Sequence, residues 1–263
     1  MPEKDSGIEH MQPIPEMFLI VCPMLFAAGF VDSIGGGGGI ISLPAYLFAG
    51  LPVHMAIATN KLSSAFGTSL ATARFARGGL IRLRLAVPSV AAAVLGSSLG
   101  AKLSLTIGET VMKYILFAVL PAAAFLVLNP HLFRDDGKHA AAADRKTLTV
   151  CVVSAFVIGM YDGFYGPGTG TFLIIAFTVF AGMTVGSANA QAKVINLTSN
   201  LTSLTVFLLN GQVLIPLGLA GAVCNMAGSW LGSGLAVSKG TKIVRPVVLF
   251  VLLLLAVKIL TGF

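Results

Sequence analysis

The chain has little charge for its length. Of 263 residues, 17 are lysine or arginine and 10 are aspartate or glutamate, while 56% are hydrophobic. Soluble domains carry about a quarter charged residues, so that class is excluded and domain counting from length does not apply. Cysteine is scarce too. Cys22, Cys151 and Cys224 lie singly in apolar segments with no C-x-x-C pair, and they read as core filler that says nothing about redox compartment. The histidines at 10, 54, 131 and 139 fall in loops or at helix ends without ligand spacing, so no metal and no cofactor are expected. The start also lacks the cationic stretch of a secretory signal, because residues 1–16 set Glu3, Asp5, Glu9 and Glu16 against Lys4. The first apolar run is therefore expected to stay, and Ile20-Val21-Cys22 lacks the small residue of a lipoprotein cleavage site.

What the chain has in place of charge is apolar runs longer than the roughly 18 residues that mark a membrane span. They predict an all-α, polytopic helical membrane protein whose first partner is the lipid bilayer. The net charge of +7 does not point to nucleic acid, since the basic residues gather in short loops beside the runs, where the positive-inside bias places them. Arg74, Arg77, Arg82 and Arg84 crowd one such turn, expected on the cytoplasmic side.

Two interruptions stand out. The run 17–50 is broken by Asp32-Ser33-Ile34 and then five glycines, Gly35, Gly36, Gly37, Gly38 and Gly39. Its echo is Asp162-Gly163-Phe164-Tyr165-Gly166-Pro167-Gly168-Thr169-Gly170. Such stretches end a helix, because glycine has high backbone entropy and proline removes a donor. In a bilayer the freed backbone groups must face protein or a polar cavity. Helices are expected over 17–50 as a broken pair, over 53–76 and 83–105, and over 111–128.

The second half repeats the first. At an offset of 130, Gly29, Asp32, Gly36 and Gly38 fall on Gly159, Asp162, Gly166 and Gly168. At 132, Ala58, Lys61, Gly79, Gly96, Ser97 and Gly100 fall on Ala190, Lys193, Gly211, Gly228, Ser229 and Gly232. The domain reading follows: a polar tail over 1–16, a first transmembrane repeat over 17–128, a polar cytoplasmic linker over 129–146, and a second repeat over 147–263. The four-arginine turn has an uncharged partner, Asn210-Gly211-Gln212, and one helix later the bias reverses with Lys239, Lys242 and Arg245. Five helices per half also invert the second copy, so an inverted repeat is expected.

Each motif has a plain reading beside the functional one. Glycines could merely let helices approach closely, but consecutive glycines strip a whole turn and bare the N–H groups at the start of the next half-helix, where the dipole favours anions. Gly96-Ser97-Ser98-Leu99-Gly100 fits a hydrolase elbow, yet its mate has Trp230 in place of Ser98 and only the four-residue glycine spacing recurs, which suits helix packing. Such small-residue faces also offer a route to a homo-oligomer. Gly166 to Gly170 match a nucleotide fingerprint loosely, without the strand–helix unit it needs. Lys61 and Lys193 sit deep in equivalent helices, where an unpaired lysine costs about 2.5–3.5 kcal/mol. They either form structural ion pairs with Asp32 and Asp162, Asp32 being the partner tried first for Lys61, or make a cationic environment for an anion. Asn60, Asn189, Gln191, Asn196, Thr198, Ser199 and Asn200 supply neutral hydrogen-bonding groups on the same helices.

At these residues the chain resembles the TauE/SafE family of membrane permeases, also called the toluene sulfonate uptake permease family. The resemblance rests on the five glycines followed by Pro44, on Ala58-Thr59-Asn60-Lys61-Leu62, on the segment 161–170, and on Ala192-Lys193-Val194-Ile195-Asn196-Leu197-Thr198-Ser199-Asn200. It covers about 17–260 and implies a carrier of sulfite, sulfonates or related sulfur-containing anions in a bacterial inner membrane, many members being exporters. Alternating access is the expected mechanism, with a passive anion channel and an intramembrane enzyme as the rivals. The expected substrate-binding residues are Gly35 to Gly39, Asn60, Lys61, Gly166, Pro167, Gly168, Thr169, Gly170, Lys193, Asn196 and Asn200, with Asp32 and Asp162 as coupling or ion-pair carboxylates and no catalytic residue.

Overall fold

The computed structural model describes residues 13–108, 111, 145–240, 242–243 and 246–247. The helix expected over 111–128 beyond its first residue, nearly all of the linker 129–146 and the tail to residue 12 lie outside them. Among the described residues every regular element is a helix: α1 Pro15–Gly35, α2 Gly39–Phe48, α3 Val53–Arg77, α4 Leu83–Thr106, α5 Arg145–Phe164, α6 Thr169–Val179, α7 Val185–Leu209 and α8 Ile215–Lys239. The fifth helix includes Arg145 and Lys146, which the sequence suggests are still linker, and the first starts at Pro15, whose missing N–H suits a first turn. Helices α1, α4, α5 and α7 are each long and apolar enough to cross a membrane, and α2 and α6 are short apolar helices.

The glycines act where the chain turns. α1 stops when Gly36 takes a left-handed conformation, φ 80°, and donates its N–H to Asp32 O at 2.8 Å. The ends of α3 and α7 close alike. Gly79 and Gly211 both have φ 67°, and Leu80 N–H to Phe75 O and Gln212 N–H to Phe207 O span the same number of residues. α3 and α7, of 25 residues each, begin 132 positions apart, as do α4 and α8.

Packing is reciprocal between the halves. α4 lies mainly on α5, and α1 on α8, so each half lends its fourth helix to the first helix of the other. The four-spaced glycines make these approaches possible. A Cβ on Gly96 or Gly100 would lie 2.2 Å from Phe156 O or 1.9 Å from Met160 O, and on Gly228 or Gly232 it would lie 2.0 Å from Phe26 O or 2.3 Å from Phe30 O. The glycine faces thus close contacts inside the chain, as the packing reading of the G-x-S-x-G match expects. Among the described residues the two larger apolar clusters hold α2, with Leu43 and Tyr46, and α6, with Leu173 and Phe177. Large apolar side chains such as Leu19, Leu83, Val223 and Leu209 point outward, which in a bilayer is their solvent.

Candidate functional site

α2 and α6 begin at the same place. A Cβ on Gly36 would lie 2.3 Å from the carbonyl carbon of Gly170, one on Gly170 would lie 2.6 Å from Gly36 Cα, and one on Gly39 would meet Pro167 Cα at 3.0 Å. The two glycine segments are in backbone contact, and Thr171 Oγ1 clasps them by donating to Gly35 O at 2.7 Å. Gly39 and Gly170, in the first turns of the two short helices, have N–H groups with no acceptor among the described residues. These amides sit at the positive ends of two helix dipoles.

Around this contact lies a polar cavity of about 20 Å³, room for little more than a water. Of the expected residues it is lined by Asp32, Gly36, Gly38, Gly39, Asn60, Lys61, Asp162, Gly166, Thr169, Gly170, Asn196 and Asn200. The others support it from behind. Gly37 O and Gly168 O accept from the starts of α2 and α6, at Ile40 N and Phe172 N, and Pro167 O accepts from Tyr161 Oη at 2.6 Å. Lys193 is fully buried beneath Asp32. Asn189 and Gln191 are drawn away from the cavity, donating at 2.9 Å to Ile34 O and Arg82 O, while Thr198 bonds its own helix at Val194 O.

Both lysines are paired, and the pairs cross between halves. Lys61 Nζ lies 2.8 Å from Asp162 Oδ1, and Lys193 Nζ lies 2.8 Å from Asp32 Oδ2. The expected Lys61–Asp32 partnership is thereby corrected. Each aspartate ends the first helix of its own half, so the contact between breaks delivers it to the lysine of the other half. The carboxylates also occupy the helix starts. Asp32 Oδ1 accepts from Gly38 N at 3.2 Å, and Asp162 Oδ1 accepts from Thr169 Oγ1 at 2.8 Å, with Ser199 Oγ donating to Oδ2. Two cations thus balance two anions at an otherwise neutral, donor-rich site.

Three lining residues are not among those expected from the sequence: Ser64, Thr68 and Asn225. Asn60, Ser64 and Thr68 share one face of α3 at four-residue spacing, and Ser64 and Thr68 are the repeat mates of Asn196 and Asn200. That signal was available. Asn225 has Ala93 as its mate, so the repeat conceals it. It enters because Gly67 has no side chain: a Cβ there would lie 1.7 Å from Asn225 Oδ1. Arg74, of the basic turn, is also engaged, donating to Trp230 O and stacking 3.8 Å from the Trp230 ring.

Half-length helices that start at a buried, charged cavity are how membrane transporters hold cargo, and an integral membrane transporter is the class this chain falls in. Residues 21–259 match the family model Sulfite exporter TauE/SafE, and the chain belongs to that family. It is 38% identical over 236 residues to the Probable membrane transporter protein ORF9 of a Sinorhizobium species, covering 89% of each chain. It is 36% identical to a Probable membrane transporter protein of Haemophilus influenzae, covering 89% of this chain and 90% of the relative. To the Probable membrane transporter protein YfcA of Escherichia coli K12 it is 35% identical, covering 89% and 86%. No solved structure matches it.

Proposed function

We propose that this transporter carries a small sulfur-containing oxyanion, sulfite or a sulfonate, outward across a bacterial inner membrane by alternating access. The observation that carries the reading is the meeting of both short-helix starts at one cavity that Lys61 lines and that Lys193 underlies through Asp32. Every free donor there suits an anion, and the resemblance supplies its sulfur chemistry. The cavity's small volume favours a carrier over a channel, because cargo can enter only if the walls part. We take the two halves as the parts that move, related as an inverted repeat. The reciprocal helix packing and the uncharged mate of the arginine turn support that relation.

The test is flux into liposomes holding the purified protein. Saturable uptake of radiolabelled sulfite or methanesulfonate, accelerated by the same anion inside, is the expected result. Uptake linear in concentration without counterflow would make the protein a channel. Conversion of the anion without net movement would make it an enzyme, and no flux of any sulfur anion would remove the cargo assignment.

A further inference from the structure

Three asparagines line the cavity in one common posture. Asn60 Oδ1 accepts from Ser64 Oγ at 3.3 Å, Asn196 Oδ1 from Asn200 Nδ2 at 3.3 Å, and Asn225 Oδ1 from Ser229 Oγ at 3.4 Å. In each case the donor sits four residues further along the same helix, where its side chain lies against the asparagine. The oxygen of each amide is thus engaged by its own helix, and among the described residues each Nδ2 has no partner, although the three asparagines are only 7%, 5% and 4% exposed. None of the three nitrogens is sealed off from the cavity, so each can take an acceptor held there. The acceptors that share the cavity are Asn200 Oδ1, the Ser64 and Thr68 hydroxyls, and the carboxylates of Asp32 and Asp162, which Lys193 and Lys61 already hold.

We infer that Asn60, Asn196 and Asn225 form a donor shell that reads three oxygens on one sulfur, and so selects a sulfonate-type headgroup over a carboxylate of equal charge. This rests on the anion-transport reading above. The three donors come from α3, α7 and α8, so they approach from different helices, as three oxygens on one centre require. A carboxylate has lone pairs enough for three donors, but they lie in one plane, so donors arriving from three helices cannot all meet them head on. Charge alone would not discriminate the two, since both ligands are monoanions; the directions from which the donors arrive do.

The experiment is calorimetric titration of the purified protein with methanesulfonate and with acetate. The wild type should bind methanesulfonate at least about tenfold more tightly, the margin of one hydrogen bond to a charged group. Asn225→Leu removes the donor while Ser229 keeps its other acceptor, Gly29 O at 3.2 Å. That variant should lose about tenfold in methanesulfonate affinity with acetate unchanged. Should it fail to fold, Asn60→Asp preserves the acceptor for Ser64, replaces the donor by an acceptor, and should abolish methanesulfonate binding. Equal wild-type affinity for the two anions, or unchanged methanesulfonate affinity in the folded variant, overturns the donor shell alone. If the wild type binds neither these nor sulfite, the anion reading falls and the shell with it.

Discussion

Removing one lysine tests whether the crossed pairs are as drawn. At 2.8 Å and an effective dielectric near 20, the Lys61–Asp162 attraction is about 6 kcal/mol before desolvation is subtracted. Both side chains are buried, 2% and 3% exposed, so Lys61→Met strands a carboxylate and should destabilise by about 3–5 kcal/mol. Thr169 and Ser199 still donate to Asp162, which places the loss toward the lower end. That corresponds to a fall in the thermal midpoint on the order of 10 °C, readable by unfolding in detergent. Lys61→Met with Asp162→Asn removes both charges and should recover most of it. Lys61→Met with Asp32→Asn should be worse than either single change, since it leaves Asp162 and Lys193 both unpaired. Recovery by Asp32→Asn in place of Asp162→Asn would refute the crossing and with it the reciprocal placement of the breaks. Transport separates structure from cargo: the recovered double variant should fold but move little anion, and full flux would make the pair structural only.

Gly36→Ala or Gly170→Ala should unfold the protein or abolish flux, because either Cβ would drive the two breaks apart. Gly79→Ala, with φ 67° but nothing within 4 Å, should cost only about 1 kcal/mol and keep flux. Cysteines engineered beside Arg82 and beside Gly211 should react with impermeant thiol reagents from opposite sides of the membrane; reaction from one side would make the repeat parallel.

The parts of this fold legible in the sequence are those written in local chemistry. Consecutive glycines announce a helix end wherever they stand, and Lys61 and Lys193 announce buried charge because lysine is so rare in apolar runs. The repeat offset located equivalent elements to within a residue or two. Which aspartate meets which lysine was not legible, because the offset says that two residues are equivalent, never that they touch. Asn225 was hidden for a related reason. Its access depends on Gly67, 158 positions earlier in the chain and on another helix, and its repeat mate is an alanine.

The same break in symmetry divides the labour of the two carboxylates. Asp162 is held by Lys61, Thr169 and Ser199, and its side chain is 3% exposed. The mates of Thr169 and Ser199 are Gly39 and Gly67, so Asp32 has neither hydroxyl; Lys193 and the Gly38 amide hold it, and its side chain is 16% exposed. On the proposed anion transport, cargo would compete with these carboxylates for helix starts and ammonium groups, and would displace the one with fewer donors first. Asp32 is therefore the side chain expected to swing as cargo binds, with Asp162 fixed as the anchor. Asp162→Asn should lower stability by about 3–5 kcal/mol through its stranded lysine and weakened hydrogen bonds. Asp32→Asn should lower it less, and should tighten equilibrium anion binding because the competitor is gone, while slowing release and flux. Weaker anion binding in Asp32→Asn than in Asp162→Asn would show that Asp32 does not compete with cargo, and would return both aspartates to equal, structural standing.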